Sequence, residues 1–169
     1  MTKILIFSDS HGDIETMARI TGTVKPDMVI HLGDYLYDAD MLNVEYPNIN
    51  FIKIPDNTNK KNDNDKVKFE NIYDKKIMMT HGHFYNVDNE EEGLRNIKGI
   101  QKLMEFGFGN GADIIMFGHS HMPYLNCING KWIMNPGRIG KKSSKIIYAT
   151  YSVLHIEPSG KIKWDIVEA

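Results

Sequence analysis

The chain has 169 residues, 41% of them hydrophobic and 25% charged, with a formal net charge of -2 and a pI near 6.4. That profile is one of a single globular domain over residues 1–169 with a sizeable core, and the near-balanced charge argues against the broad basic face that duplex nucleic acid or an anionic membrane would need. A lone cysteine, Cys127, excludes an internal disulfide. It sits in the alternating stretch YLNCING, where a small buried side chain in a protein of the reducing cytoplasm is expected. The first apolar run is too short for a secretory signal and no run reaches membrane-spanning length, so a soluble protein without membrane contact is expected.

In chain order, Ile4–Phe7 reads as a buried strand. Asp13 then caps a helix with Ile14, Met17 and Ala18 on one face, and Gly22 is expected to end it. Met28–Ile30 and Phe51–Ile54 are two further runs of strand length. The segment DNTNKKNDNDK, residues 56–66, holds no apolar residue and reads as a solvated loop. Ile77–Met79 is a fourth strand. Asp88 with Glu91 has the form of a capping box, followed by Leu94, Ile97, Leu103 and Met104 at helical spacing up to Gly107. Ile114–Phe117 is a fifth strand. In the last third, YLNCI, KWIMN, IIYATYSVLHIE and KIKWDIV surround NG at 129–130 and SG at 159–160, the pattern of an antiparallel meander. These elements predict an α/β fold of two mixed β-sheets packed face to face with flanking helices.

The polar residues follow a single rule: they stand after the five core strands. Asp9 and His11 follow the first, Gly33 and Asp34 the second, Asn57 the third, His81 the fourth, and His119 and His121 the fifth. Carboxyl ends of strands in such sheets form one edge, the usual place of a ligand crevice. Carboxylates brought together there would repel one another, and the imidazoles would lack partners, unless cations sit among them. A donor set of oxygen and nitrogen without thiolate suits a pair of divalent metals, whether manganese, nickel, iron, cobalt or zinc. Glycines at 12, 33, 82 and 118 let the backbone pass close to such ions. His31 and His155 lie inside strand patterns and read as structural.

The motifs SDSHG at 8–12, HLGD at 31–34, THGH at 80–83, GHSHMP at 118–123 and NPGR at 135–138 together resemble those of the calcineurin-like metallophosphoesterases. Within that superfamily the chain is similar to the small bacterial and archaeal phosphodiesterases related to the retromer scaffold subunit. The resemblance implies a four-layer αββα sandwich and a dinuclear centre. One metal would be held by Asp9, His11, Asp34 and His121, the other by Asp34, Asn57, His81 and His119, with Asp34 bridging. The chain departs from the family pattern at Asp56-Asn57-Thr58-Asn59, where only the ligand asparagine survives, and at Arg138, which replaces a serine.

The activity implied is hydrolysis of a small phosphodiester by a water that two metals activate. Asn135, Gly137 and Arg138 are the expected substrate-binding residues, Arg138 because a guanidinium matches phosphate geometry; Arg138 with Lys141, Lys142 and Lys145 reads equally well as a solvated basic loop. Where larger relatives carry a histidine, Thr58 stands here, so His83 is the candidate proton donor to the leaving group, with water as the fallback; His83 reads equally well as orienting substrate or supporting a ligand by a hydrogen bond, and Asp34 is the central catalytic carboxylate. The expected partner is a small phosphoester, and a homo-oligomer is compatible with the sequence. The competing reading is an interaction module of the same fold with little or no activity, as the retromer relative implies.

Overall fold

The computed structural model describes residues 1–55, 67–89, 94–140 and 148–169. Asn57, Thr58, Glu91, Lys141, Lys142, Lys145 and the 56–66 segment lie outside the described residues.

Strand β1, Thr2–Phe7, is the centre of the first sheet. It pairs in parallel with β2, Met28–His31, which pairs in parallel with β3, Asn50–Lys53. The second sheet starts from the hairpin of β4, Val67–Ile72, and β5, Lys75–Thr80, and β5 runs parallel to β8, Ile114–Phe117. Strands β9, Tyr124–Ile128, and β10, Lys131–Asn135, complete that sheet, with β10 parallel to β8. Strands β11, Thr150–Ile156, and β12, Ile162–Glu168, return to the first, with β11 antiparallel to β1. The orders are β12-β11-β1-β2-β3 and β4-β5-β8-β10-β9.

Side-chain alternation explains the layering. In β1, Ile4 and Ile6 face the second sheet's Ile77, Met79, Ile114 and Met116 across the central core. Leu5 and Phe7 point the opposite way, into a cluster with Met17 and Ile20 of helix α1, Ile14–Val24, and Leu42 of helix α2, Leu36–Glu45. On the far side, Met78, Ile115 and Phe117 pack with Ile100 and Leu103 of helix α3, Ile97–Gly109. Strands buried on both faces have to read as continuous apolar runs, as Ile4–Phe7, Met28–Ile30, Ile77–Met79 and Ile114–Phe117 do, whereas the edge strand β3 is interrupted by Lys53. Each fully buried Leu, Ile, Phe or Met contributes about 1.5–3 kcal/mol. The result is the expected α/β sandwich of two mixed sheets with helices outside.

Several expectations are corrected. Gly22 does not end α1; the helix runs to Val24 and closes at Lys25, whose φ is 49°. Gly22 instead permits close packing, since a Cβ there would stand 3.0 Å from the Tyr46 hydroxyl. Asp88 caps no helix: Asp88–Asn89 is a short strand β6 paired with β7, Leu94–Arg95, and α3 starts later, with Asn96 accepting from the Lys98 and Gly99 N–H groups. The last third is two hairpins placed in different sheets, not one meander. Cys127 is exposed on the edge strand β9. Helix α2 and strand β4 were not anticipated.

Candidate metal centre

The segments following β1, β2, β5 and β8 meet at one edge of the sandwich. Within the first sheet, the Asp9 N–H donates to Gly33 O at 3.0 Å and the Leu32 N–H to Phe7 O at 2.9 Å. Within the second, the Gly118 N–H donates to His81 O at 3.0 Å. Two bonds stitch the sheets to each other: the His119 N–H to Asp9 Oδ2 at 3.1 Å, and His81 Nδ1 to Leu32 O at 2.8 Å. Asp9, His11, Asp34, His119 and His121 all adopt positive φ, between 46° and 68°. Such conformations are uncommon for residues with side chains and cluster where a fold holds functional groups at fixed angles.

Asp9, His11, Asp34 and His121 form one group, each offering a ligand atom within 4.8 Å of the others. Asp9 is fully buried. Its Oδ2 accepts from the Ser8 hydroxyl at 2.5 Å, while Oδ1 stands 3.2 Å from His121 Nε2 and has no hydrogen-bond partner. Burial alone would raise the pKa of this carboxyl, but the contact with His121, the neighbouring imidazoles of His81 and His121, and the Ser8 bond outweigh it and lower the pKa to about 2. His11 is shifted down by burial and by the Arg138 charge, which favours the neutral ring that a metal needs. Its Nε2 is buried without a hydrogen-bond partner, 3.8 Å from Asp34 Oδ2.

A second group lies across Asp34. Asp34 Oδ1 is 3.6 Å from His81 Nε2, another buried nitrogen without a hydrogen-bond partner. Because the Leu32 carbonyl can only accept, His81 Nδ1 carries a proton, which leaves Nε2 as the ring nitrogen able to bind a cation. The His119 ring centroid is 5.0 Å from that of His81, and His83 packs 5.5 Å from His81 and 6.1 Å from His119. Burial, then His81, lowers the His119 pKa. The two oxygens of Asp34 therefore face the two groups, one each.

The NPGR residues divide. The Asn135 amide is committed to the fold: Nδ2 donates to Gly118 O at 2.7 Å and Ser120 Oγ at 3.1 Å, and Oδ1 accepts the Gly137 N–H at 2.8 Å. Asn135 and Gly137, expected to bind substrate, thus brace the loop carrying His119 and His121, and the Gly137 N–H has no hydrogen left for an anion. Arg138 is half-buried, its Nε is shielded without a hydrogen-bond partner, and its charge reaches His11.

Four residues beside the site take parts that were not anticipated. Asp38, at the start of α2, is buried and its Oδ2 accepts from the Ser10 hydroxyl at 2.6 Å and the Gly12 N–H at 2.7 Å. His31, read as structural, extends this network: the Gly33 N–H donates to Nδ1, so Nε2 donates to Ser10 Oγ at 3.1 Å. Asp88 Oδ1 is 3.3 Å from His119 Nε2. Tyr35, half-exposed with φ 64°, packs its ring 4.9 Å from that of His11. Only a three-dimensional neighbour would distinguish these from surface polar residues, so composition and spacing carry no signal for them.

A family model for the calcineurin-like phosphoesterase superfamily domain matches residues 2–159. The chain belongs to that superfamily. Membership supports a phosphoesterase at the level of the family, one that generally binds divalent metals. It is 30% identical over 140 residues to the probable metallophosphoesterase YsnB of Bacillus subtilis, covering 80% of this chain and 74% of that protein. An archaeal phosphodiesterase of solved structure superposes with TM-score 0.65 at 20% identity, covering 98% of this chain and 99% of that one. Vps29 of Entamoeba histolytica, solved in complex with zinc, superposes with TM-score 0.65 at 16% identity, covering 98% of each chain. At these identities the two structures speak for the fold. The residues fit the metals of the superfamily: Asp9 Oδ1, His11 Nε2 and His81 Nε2 are buried acceptors with no hydrogen-bond partner, which a cation would satisfy, and the donors are oxygen and imidazole nitrogen. Among the described residues no helix is long and apolar enough to cross a membrane.

Proposed function

We propose that this chain is a phosphodiesterase working with two divalent cations, one held by Asp9, His11, Asp34 and His121 and the other by Asp34, His81, His119 and Asn57. The observation that carries the reading is the stance of Asp34, whose Oδ2 faces His11 and whose Oδ1 faces His81, both rings presenting a buried Nε2 without a hydrogen-bond partner. A carboxylate placed in this way is suited to bridge. Bound there, a pair of divalent cations supplies Lewis acidity to a phosphoryl oxygen and acidifies a water for in-line attack.

The chain's own groups do the rest. The left-handed turns at Asp9, His11, His119 and His121 fix the donors before any ligand arrives, so little is spent on reorganisation. Arg138, half-buried beside His11, holds a non-bridging oxygen with its guanidinium. His83, stacked among the rings of His81 and His119, gives the leaving oxygen its proton. The other reading, an interaction module without turnover, draws on the structural likeness to Vps29.

Chelation decides between them. Protein stripped of metal is expected to lose hydrolysis of a bis-nitrophenyl phosphodiester and to recover it with manganese or nickel. Hydrolysis that ignores the chelator would end the metal mechanism, and no hydrolysis under any metal would favour the interaction module.

A further inference from the structure

Asp88 is bound up with the centre in a way that the superfamily's ligand pattern does not include. Its Oδ1 lies 3.3 Å from Nε2 of His119, with side chains only 19% and 17% exposed respectively. Its position is built by the fold. Asp88 pairs through the backbone with Arg95, the preceding Val87 is fully buried against the α3 cluster, and the Asn96 N–H donates to Val87 O at 3.0 Å. Helix α3 also clamps the connecting turn: a Cβ on Gly99 would come within 2.1 Å of Asn86 O and 2.4 Å of Tyr85 O, so only glycine allows this approach. The segment leading from His81 to α3 therefore delivers a carboxylate to the second half of the site.

Resting on the two-cation reading above, we propose that Asp88 is an additional carboxylate of the half containing His81 and His119, facing the same cation as His119, and that its charge selects monoanionic phosphodiesters over dianionic monoesters. With Asp88 present, three carboxylates rather than two offset the cations. A diester carries one negative charge on its phosphoryl group, whereas a monoester at neutral pH carries up to two. The extra carboxylate penalises the second charge, and at separations well inside the Debye length that penalty is only partly screened.

The test uses the full metal-free chain titrated with manganese by calorimetry, and then assayed on a nitrophenyl monoester and a bis-nitrophenyl diester. Wild type is expected to show two sites. Asp88→Asn should weaken one of them by about 10–100-fold while leaving the other unchanged, a size typical for groups beside a ligating histidine. The same variant should raise kcat/KM for the monoester relative to the diester by roughly tenfold, the shift expected for removing one nearby charge. Asp88→Glu should restore the wild-type ratio, and Asp74→Asn, a surface carboxylate 3.1 Å from Lys75, should change neither readout. Thermal melts of the metal-free variants establish that each is folded. Identical isotherms for wild type and Asp88→Asn would overturn the assignment to the cation, and an unchanged monoester-to-diester ratio would overturn the charge selection. A wild type that takes up no manganese would sink the two-cation reading itself, whereas two tight sites surviving in Asp88→Asn would sink only this inference.

Discussion

The two halves of the centre are built by different means. The half around Asp9, His11 and His121 is made by sharp backbone turns, three residues at positive φ, and is pinned from behind by Asp38, which holds Ser10 and the Gly12 N–H. The half around His81 and His119 is made by packing. His81 is oriented through Nδ1 by a carbonyl from the opposite sheet, and the turn that follows it is clamped by α3. Both halves draw donors from both sheets, Asp9 and His11 from the first with His121 from the second, and Asp34 from the first with His81 and His119 from the second, so they differ in how the donors are held. Asp34 is the point where the two constructions join. A site assembled in this way should fail as a whole when Asp34 changes, and in halves when a supporting residue changes.

Asp34→Asn is therefore expected to have the largest effect. It removes charge from both halves and should lower diester turnover by about three orders of magnitude, equivalent to roughly 4 kcal/mol of lost transition-state stabilisation. Steady-state kinetics with excess manganese check this, and near wild-type rates would break the idea that the halves share a carboxylate.

A matched pair of variants then sharpens the comparison. In Gly33→Ala, the new Cβ would sit 2.6 Å from His81 Nδ1 on a residue whose φ is +103°. Strain of about 1–3 kcal/mol should appear as a lowered Tm, and the His81 half should lose affinity for manganese. Asp38→Asn keeps the shape but discards charge-assisted bonds to Ser10 and Gly12, and should weaken the Asp9 half about tenfold at smaller cost to Tm. Calorimetric titration of the two variants separates the sites. Equal weakening of both sites by each variant would show that the halves are not independently supported.

How much of this was legible in the sequence follows from the same physics. The core strands stood out because both their faces are buried, so Ile4–Phe7 and Ile114–Phe117 are unbroken apolar runs. Helix α2 escaped notice because Tyr37, Met41 and Val44 are exposed on it, which blurs the apolar face that marks a helix. Alternation in β9 suggested a buried Cys127, yet the strand is an edge and its last residues lie beyond the cover of its neighbours. Asp88 followed by Glu91 looked like a helix start, and pairing of β6 with β7 prevailed over that local signal.

In the site, Asp9, His11, Asp34, His81, His119 and His121 were visible because each stands directly after an apolar run, where the topology brings strand ends together. Asp38 and Asp88 were not, because each meets its partner 26 to 31 positions away in the chain, a contact no local pattern records. Asn135 shows a different kind of gap: its motif pointed to the site but not to the bonds by which its amide ties Gly118, Ser120 and Gly137 together.

The central claim is that Asp34 stands between two cations. The most direct measurement is anomalous X-ray scattering at the manganese edge from crystals of the full chain grown with manganese. The account predicts two peaks about 3.5–4 Å apart, one on each side of the Asp34 carboxylate. A single peak, or peaks away from Asp34, would contradict it.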